Sequence, residues 1–392
     1  MLLQPNKGKR KSVKILPEVL LQNRLEKDTQ KMMYPVHLMF SLFLSSRYAI
    51  RDNYVTPRGK MYYTFTLGFV VILYGMAVKR FFFEELKDSM GTYNNDFLTL
   101  FAIFFYIFYL TGFTILFFLN IIHSDASIAL ILLLQKVYLS LDFSEHLKKI
   151  TQRNWMAMIG VFLLNIFLHY LYYVTFNEFN LSDTLFDFMF ITFDLHLMYA
   201  LVVIILLRKY LEKWIKYVLH DIDDETSVKL LVVYRNILEA YDFYRAIFQV
   251  LILFHTVDTF FRCLFYFTLV MQILTMLDNI EADRRVLNLS VSFIVSVVWL
   301  SKDILFVMIQ SMQCEKFYNT VEEAETACIQ RLKNKHYLDC EENLCKEVVQ
   351  LNRVSFSKMS ACGLFSIDGT LPLHLMGILT NYIVVILQTM FL

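Results

Sequence analysis

The chain has 392 residues, 57% of them apolar and only 19% charged, with a formal net charge of +1 and a mean hydropathy of +0.48. A soluble domain carries about 25% charged residues, so this chain lacks the polar surface to cover its own core in water and reads as a membrane protein. The near-zero net charge excludes a globally basic nucleic-acid binder, and with no long charged or Pro/Gly/Ser-rich tract no large disordered arm is expected.

Residues 1–32 are polar and basic (Lys7, Lys9, Arg10, Lys11, Lys14) and contain no apolar run of signal-peptide length. The apolar stretch Met32–Ser46 contains Pro35 and His37 and is shorter than the ~20 residues a span needs, so it suits a re-entrant or interfacial helix. Seven later stretches have spanning length: Met61–Val78, Phe97–Ile122, Trp155–Phe176, Leu185–Leu207, Ala246–Met276, Val286–Met312 and Thr370–Leu392. With a cytoplasmic N-terminus, thirty Lys and Arg fall on inner segments, five on outer loops and two (Arg262 and Lys302) within spans. Positive residues concentrate on the cytoplasmic side. The expectation is an all-α membrane protein of seven transmembrane helices with a cytoplasmic N-terminus and an extracellular C-terminus. A G-protein-coupled receptor has seven spans the other way up, which would put the thirty basic residues outside. Asn180 and Asn288 stand in Asn-x-Ser triplets; Asn180 falls in a short outer loop and is the candidate glycosylation site.

The chain carries no catalytic constellation, and no enzyme activity, cofactor or metal is expected. No two of its nine His lie within twenty residues of each other, which excludes clustered His boxes. There is no Gly-rich phosphate loop and no Gly-x-Ser-x-Gly elbow. Cys314, Cys328, Cys340, Cys345 and Cys362 fall on inner segments without a Cys-x-x-Cys pair and read as reduced thiols.

Ionisable groups inside spans are costly and mark functional candidates. His169, Tyr173, Asp187, Asp194, Tyr266, Ser292 and Ser296 occupy the outer halves of the third to sixth spans and are the candidate small-molecule pocket, with His169 and Asp194 read as unpaired. Asp258 and Arg262, spaced i, i+4, are expected to pair, and Lys302 and Asp303 read as structural.

The inner segment 313–369 reads as helical rather than coiled. Val321–Arg331 favours helix, and Asn343–Met359 places Leu344, Val348, Leu351 and Val354 at helical spacing. Asp368-Gly369-Thr370-Leu371-Pro372 then breaks the pattern and starts the final span, so the last helix is expected to be split into a cytoplasmic part and a membrane part. The chain divides accordingly into 1–60, spans one to six over 61–312, a cytoplasmic helical region over 313–369 and the last span over 370–392. Within that span His374, Asn381 and Gln388 recur every seven residues and share one face. A polar seam against neighbouring helices and a pore lining both fit that stripe.

The C-terminal residues resemble a known family. Tyr382-Ile383-Val384-Val385-Ile386-Leu387-Gln388 is similar to the T-Y-h-h-h-h-h-Q-F motif of insect gustatory receptors, with Asn381 in place of Thr and Thr389 in place of Phe. Ala361-Cys362-Gly363-Leu364-Phe365-Ser366-Ile367-Asp368 resembles the family's A-x-G-x-F-x-I-D segment. The resemblance is specific over roughly the last thirty residues and architectural elsewhere. It implies a chemosensory, tastant-gated nonselective cation channel subunit, related to insect odorant receptors, that mediates acceptance or avoidance of food depending on ligand. It further implies a homotetramer, or a heteromer with other gustatory receptors, in the plasma membrane of gustatory neurons and their dendrites. His374, Asn381, Tyr382, Val384, Val385, Gln388 and Thr389 would line or gate a central pore in the lipid bilayer. A G-protein-coupled chemoreceptor, a transporter and an accessory subunit remain open on the residues alone.

Overall fold

The computed structural model describes residues 23–80, 96–176, 181–220, 223–277, 283–333 and 339–391. In chain order these form α1 (Lys27–Leu42), β1 (Tyr48–Arg51), β2 (Tyr54–Pro57), α2 (Lys60–Arg80), α3 (Asp96–Ile122), α4 (Ser124–Ser140), α5 (Leu147–Phe176), α6 (Leu181–Phe188), α7 (Ile191–Val218), α8 (Asp224–Leu277), α9 (Asp283–Lys333), α10 (Asp339–Ser355), β3 (Ser360–Ala361), β4 (Phe365–Ser366) and α11 (Leu371–Phe391). The strands form two small antiparallel hairpins, and the helices carry the rest of the architecture.

Among the described residues, five stretches are long and apolar enough to cross a membrane: Lys60–Lys79, Ser144–Leu171, Thr184–Val218, Asp224–Thr268 and Leu371–Gln388. The pair Ile107–Ile122 and Ser124–Ser140, bent by 62°, adds a sixth if it counts as one span. The expected sixth span, Val286–Met312, lies inside α9, whose side chains from 283 to 293 fall outside the described residues.

The centre of the bundle is α7. Its span is 83% buried within the chain, against 17% for that of α11. A helix that is apolar all round must be covered all round, and α7 is packed by α9, α8, α5 and α1. Helices α8 and α9 hold 54 and 51 residues. At about 1.5 Å per residue each exceeds 75 Å, more than twice the ~30 Å hydrocarbon layer. Each therefore continues well outside the membrane as one rigid rod, and the expected helix at Val321–Arg331 is the far end of the same helix that holds the sixth span.

Outside the membrane the rods are held by polar contacts. Trp214 donates its indole N–H to the Leu230 carbonyl at 2.8 Å, which joins the end of α7 to the start of α8. Arg331 donates to the Val218 and His220 carbonyls and to Glu341, satisfying carbonyls that the end of α7 leaves open. Leu344 and Val348 of α10 are buried as their spacing predicts, but Val354 is 72% exposed, being turned about 80° from Leu344 around the helix; α10 stops at Ser355 rather than continuing to Met359.

Two shorter helices complete the packing. Ser124–Ser140 has every side chain from Ser127 to Leu134 buried and is packed mainly on α8. Met32–Ser46 is the second half of α1 and the turn after it; Met32, Met33, Val36 and Phe40 are buried, so that face is covered by α5 and α7.

Close packing is tightest where α3 meets α7 and α8. A Cβ on Gly112 would overlap the Phe254 ring and approach Phe193 Cζ to 2.9 Å. Phe254 cannot swing away, because it is stacked between Phe108 at 4.7 Å and Phe193 at 5.2 Å. Gly112→Ala is expected to cost about 1–3 kcal/mol, read as a lower unfolding temperature in detergent. Gly160→Ala on α5 meets nothing within 4 Å and is expected to be neutral or slightly stabilising.

Candidate functional site

Three helices bring five charged side chains together in the interior. Arg262 of α8 pairs with Asp258 at 3.0 Å, the i, i+4 contact its spacing predicts, and with Asp303 of α9 at 2.9 Å. Lys302, next to Asp303 on α9, reaches Asp194 of α7 at 2.6 Å and Asp303 at 3.4 Å. All five are at most 9% exposed. Asn165 of α5 donates to Asp194 at 3.0 Å, so a fourth helix joins. Aromatic faces complete the cage: the Arg262 guanidinium lies 5.1 Å from the Tyr109 ring centre, and the Lys302 ammonium 5.4 Å from that of Trp299. Cations gain from such ring faces when shielded from water.

This geometry corrects the reading of Asp194 as unpaired, whereas His169 keeps its Nε2 without a hydrogen-bond partner among the described residues. Asp194 accepts from Lys302 and Asn165, since a carboxylate in that setting is stable only with a cation or several donors. His169 Nδ1 lies 2.7 Å from the Asn165 carbonyl, and its ring meets Trp299 edge-on at 5.1 Å. Tyr173 donates to Asp187 at 2.9 Å, tying α5 to α6. Tyr266 stands beside Phe265 at 5.5 Å. Ser292 and Ser296 lie on α9 with side chains outside the described residues, and Asn180 also falls outside them. Asp194, Tyr173, Asp187 and His169 thus each make a contact between helices. A small apolar groove lined by Leu73, Phe113, Phe117, Asn120 and Thr192 among others contains none of them.

Nothing in the sequence pointed to a second polar centre around Arg47, in the turn between α1 and β1. Arg47 is fully buried. Its Nε donates to Asn120 at 2.9 Å, and one terminal nitrogen lies 3.5 Å from His196. Asn120 donates to Ser45 at 3.0 Å, and Ser45 Oγ is 2.7 Å from His196 Nε2. Burial pulls the guanidinium down to about 10, so it stays charged at neutral pH. Among the described residues it has no carboxylate partner; the Asn120 amide oxygen, a His196 ring nitrogen and the Phe248 face, 5.5 Å away, take that place.

The third feature is the last helix and its hinge. Leu371, Leu375 and Leu379 of α11 are buried, with Ile383 and Ile386 half-buried on the same side. His374, Asn381 and Gln388 are all exposed on the other side; Ile378, Tyr382, Val384 and Val385 are exposed as well. The polar stripe thus faces away from its own bundle. Tyr382 meets Phe260 of α8 edge-on at 5.5 Å. Thr389 lies on the helix with its side chain outside the described residues.

The expected break before α11 is present and is a hairpin. Cys362 and Gly363 take φ of 52° and 82°, the left-handed pair that a tight hairpin turn requires, and Leu364 donates to the Ala361 carbonyl at 3.0 Å. Tyr318 of α9 clamps both ends, donating to the Ile367 carbonyl at 3.0 Å and accepting from the Met359 N–H at 3.1 Å. Asp368 accepts from the Thr370 N–H at 3.0 Å and from Ser366 Oγ at 2.7 Å. Burial opposes its ionisation, but the hydrogen bonds from Thr370 and Ser366 outweigh that and hold its carboxyl below the usual range. The Ala361–Asp368 motif thus has a structural task, forming the hairpin and the cap at the start of α11.

All six cysteines are free. Among the described residues no three His, Cys, Asp or Glu side chains are placed to hold a metal ion.

Breaking one arm of a buried ion network costs about 3–5 kcal/mol, because the other charge stays behind. Lys302→Met is expected to destabilise by that amount, and adding Asp194→Leu to recover much of it. Thermal unfolding of both variants checks this; equal losses in the two would contradict it. No family model matches the chain, and no curated protein matches it.

Proposed function

We propose that the chain is a subunit of a tastant-gated, nonselective cation channel of the insect gustatory receptor kind. The observation that carries this reading is the direction of the α11 stripe: His374, Asn381 and Gln388 are exposed on the side opposite the buried Leu371, Leu375 and Leu379. Polar amides facing lipid tails are costly, so that side calls for water or further protein, and copies of α11 around an axis supply both. The Tyr382–Gln388 spacing and the Ala361–Asp368 segment support the same reading.

On this proposal the chain crosses the plasma membrane of a gustatory neuron seven times, with its N-terminus inside. Four copies meet through the long ends of α8, α9 and α10, and α11 of each lines the pore. Val384 and Val385 form an apolar constriction that closes by dewetting. A small-molecule tastant binds among the helices that the ion network ties together. Because Lys302 and Asp303 sit on the same rigid rod as Tyr318, a shift of α9 at the network reaches the hinge of α11 directly.

Gln388→Arg would place four positive charges around the pore, and rings of charge set ion selectivity. The expected result is a large loss of cation permeability at normal surface expression, with Gln388→Ala altering selectivity or rectification more mildly. Currents that both variants leave unchanged, or that require G proteins, would overturn the proposal.

A further inference from the structure

Among the described residues, three carboxylates, Asp194, Asp258 and Asp303, share the interior network with two cations, Arg262 and Lys302. One negative charge is therefore left uncompensated, which is costly in a low-dielectric interior. Asp258 Oδ1 has no hydrogen-bond partner. One helical turn earlier on α8, His255 is 5% exposed, and its Nε2 is unpartnered as well. Residues three apart on a helix are neighbours, so His255 and Asp258 stand together at the edge of the network.

Beside His255 lies a small cavity enclosed by α7, α8, α9 and the first residue of α11, with Leu197, Phe306 and Leu371 in its walls. Gln310 and Ser311 also line it; both are at most 3% exposed, and Gln310 Oε1 and Ser311 Oγ lack partners. The space leaves about 10 Å³ for the centre of a water molecule, which is about what one water needs, and a buried water typically makes about three hydrogen bonds. His255 Nε2, Gln310 Oε1 and Ser311 Oγ supply that number.

We propose that the network takes up one proton from the aqueous phase, held between His255 and Asp258, and that the cavity holds the single water that solvates it. The proton restores neutrality. It belongs to the pair, as protons of closely coupled groups do. The charged groups acting on His255 are Asp258 and Arg262 of its own helix, Asp194 of α7 and Asp303 of α9, with Lys302 bound to both of the latter. Tyr109 of α3 meets the network through Arg262, and His169 of α5 only through Asn165. Since Leu371 forms part of the cavity wall, occupancy of this site is felt at the base of α11. The inference rests on the charge count and the cavity, and stands whether or not the chain conducts ions.

The sign follows from linkage. An unfolded His gives up its proton near pH 6.5, whereas the folded pair keeps one, so the stability it contributes is present at low pH and lost as pH rises through the folded value. The folding equilibrium constant is expected to fall by up to tenfold per pH unit above about 6.5 until the pair lets go. Asp258→Asn leaves two carboxylates and two cations and is expected to abolish that fall. The test is the unfolding temperature of full-length wild type and Asp258→Asn in nanodiscs from about pH 6 to 9, together with infrared titration of both. A carboxylic-acid or imidazolium band that titrates in the wild type and is missing from Asp258→Asn supports the proposal. Identical pH profiles or identical titrating bands for the two proteins, or a wild-type spectrum with neither band changing across that range, overturn it, and the last outcome needs no variant to fold.

Discussion

Lys302 and Asp303 are neighbours in sequence, yet they reach two different helices. About 100° of helical rotation separates consecutive side chains, so Lys302 turns to Asp194 on α7 while Asp303 turns to Arg262 on α8. This divergence is the constraint on which the rest of the interior depends. A charge buried in a membrane protein needs a partner within reach, and here the partners lie on two other helices, distant in sequence. The register of α9 against α7 and α8 is thereby fixed to within a hydrogen-bond length. Apolar packing alone tolerates sliding by far more, because lipid tails are as good a solvent for leucine as another helix is.

The long helices carry that register outward. A helix as long as α9 has no joint between Lys302 and the Tyr318 clamp, so the ion network and the hinge of α11 move as one piece. Below the network, packing resembles that of a water-soluble protein. Trp214, Tyr234 and Tyr318 are buried there, with their polar atoms satisfied by Leu230, Asn352 and Ile367. Above the hinge, α11 touches its own bundle through Leu371, Leu375, Leu379, Ile383 and Ile386 and through Tyr382 on Phe260. The chain therefore joins a well-covered body to one helix that is mostly uncovered, a division that suits a subunit whose last helix meets its like in an assembly.

Much of this was legible in the residues, for stated physical reasons. Low charge and high hydropathy dictate the solvent; the i, i+4 spacing of Asp258 and Arg262 dictates their pairing; the seven-residue repeat of His374, Asn381 and Gln388 dictates a shared face. What escaped depends on distance along the chain. Asp194 and Lys302 are 108 positions apart, and no local pattern tells which of several acids a membrane lysine will find. Arg47 is one basic residue in a basic segment until the chain folds back over it. Helix α4 is short of spanning length, so an apolar run of that size between two spans does not announce a separate buried helix. The Ala361–Asp368 segment was conspicuous as a motif, but its left-handed turn at Cys362 and Gly363 is a backbone property that side-chain patterns express only weakly.

On the proposed function, the exposed side of α11 faces water inside an assembly rather than lipid. Single cysteines along α11 in the assembled protein, treated with a membrane-impermeant thiol reagent, test it most directly. The account predicts modification at 374, 381 and 388 from the aqueous phase, protection at 375 and 379, and a change in the accessible set when the channel opens. Protection of all five positions from the soluble reagent, with labelling of 381 and 388 by a lipid-soluble one, would contradict it.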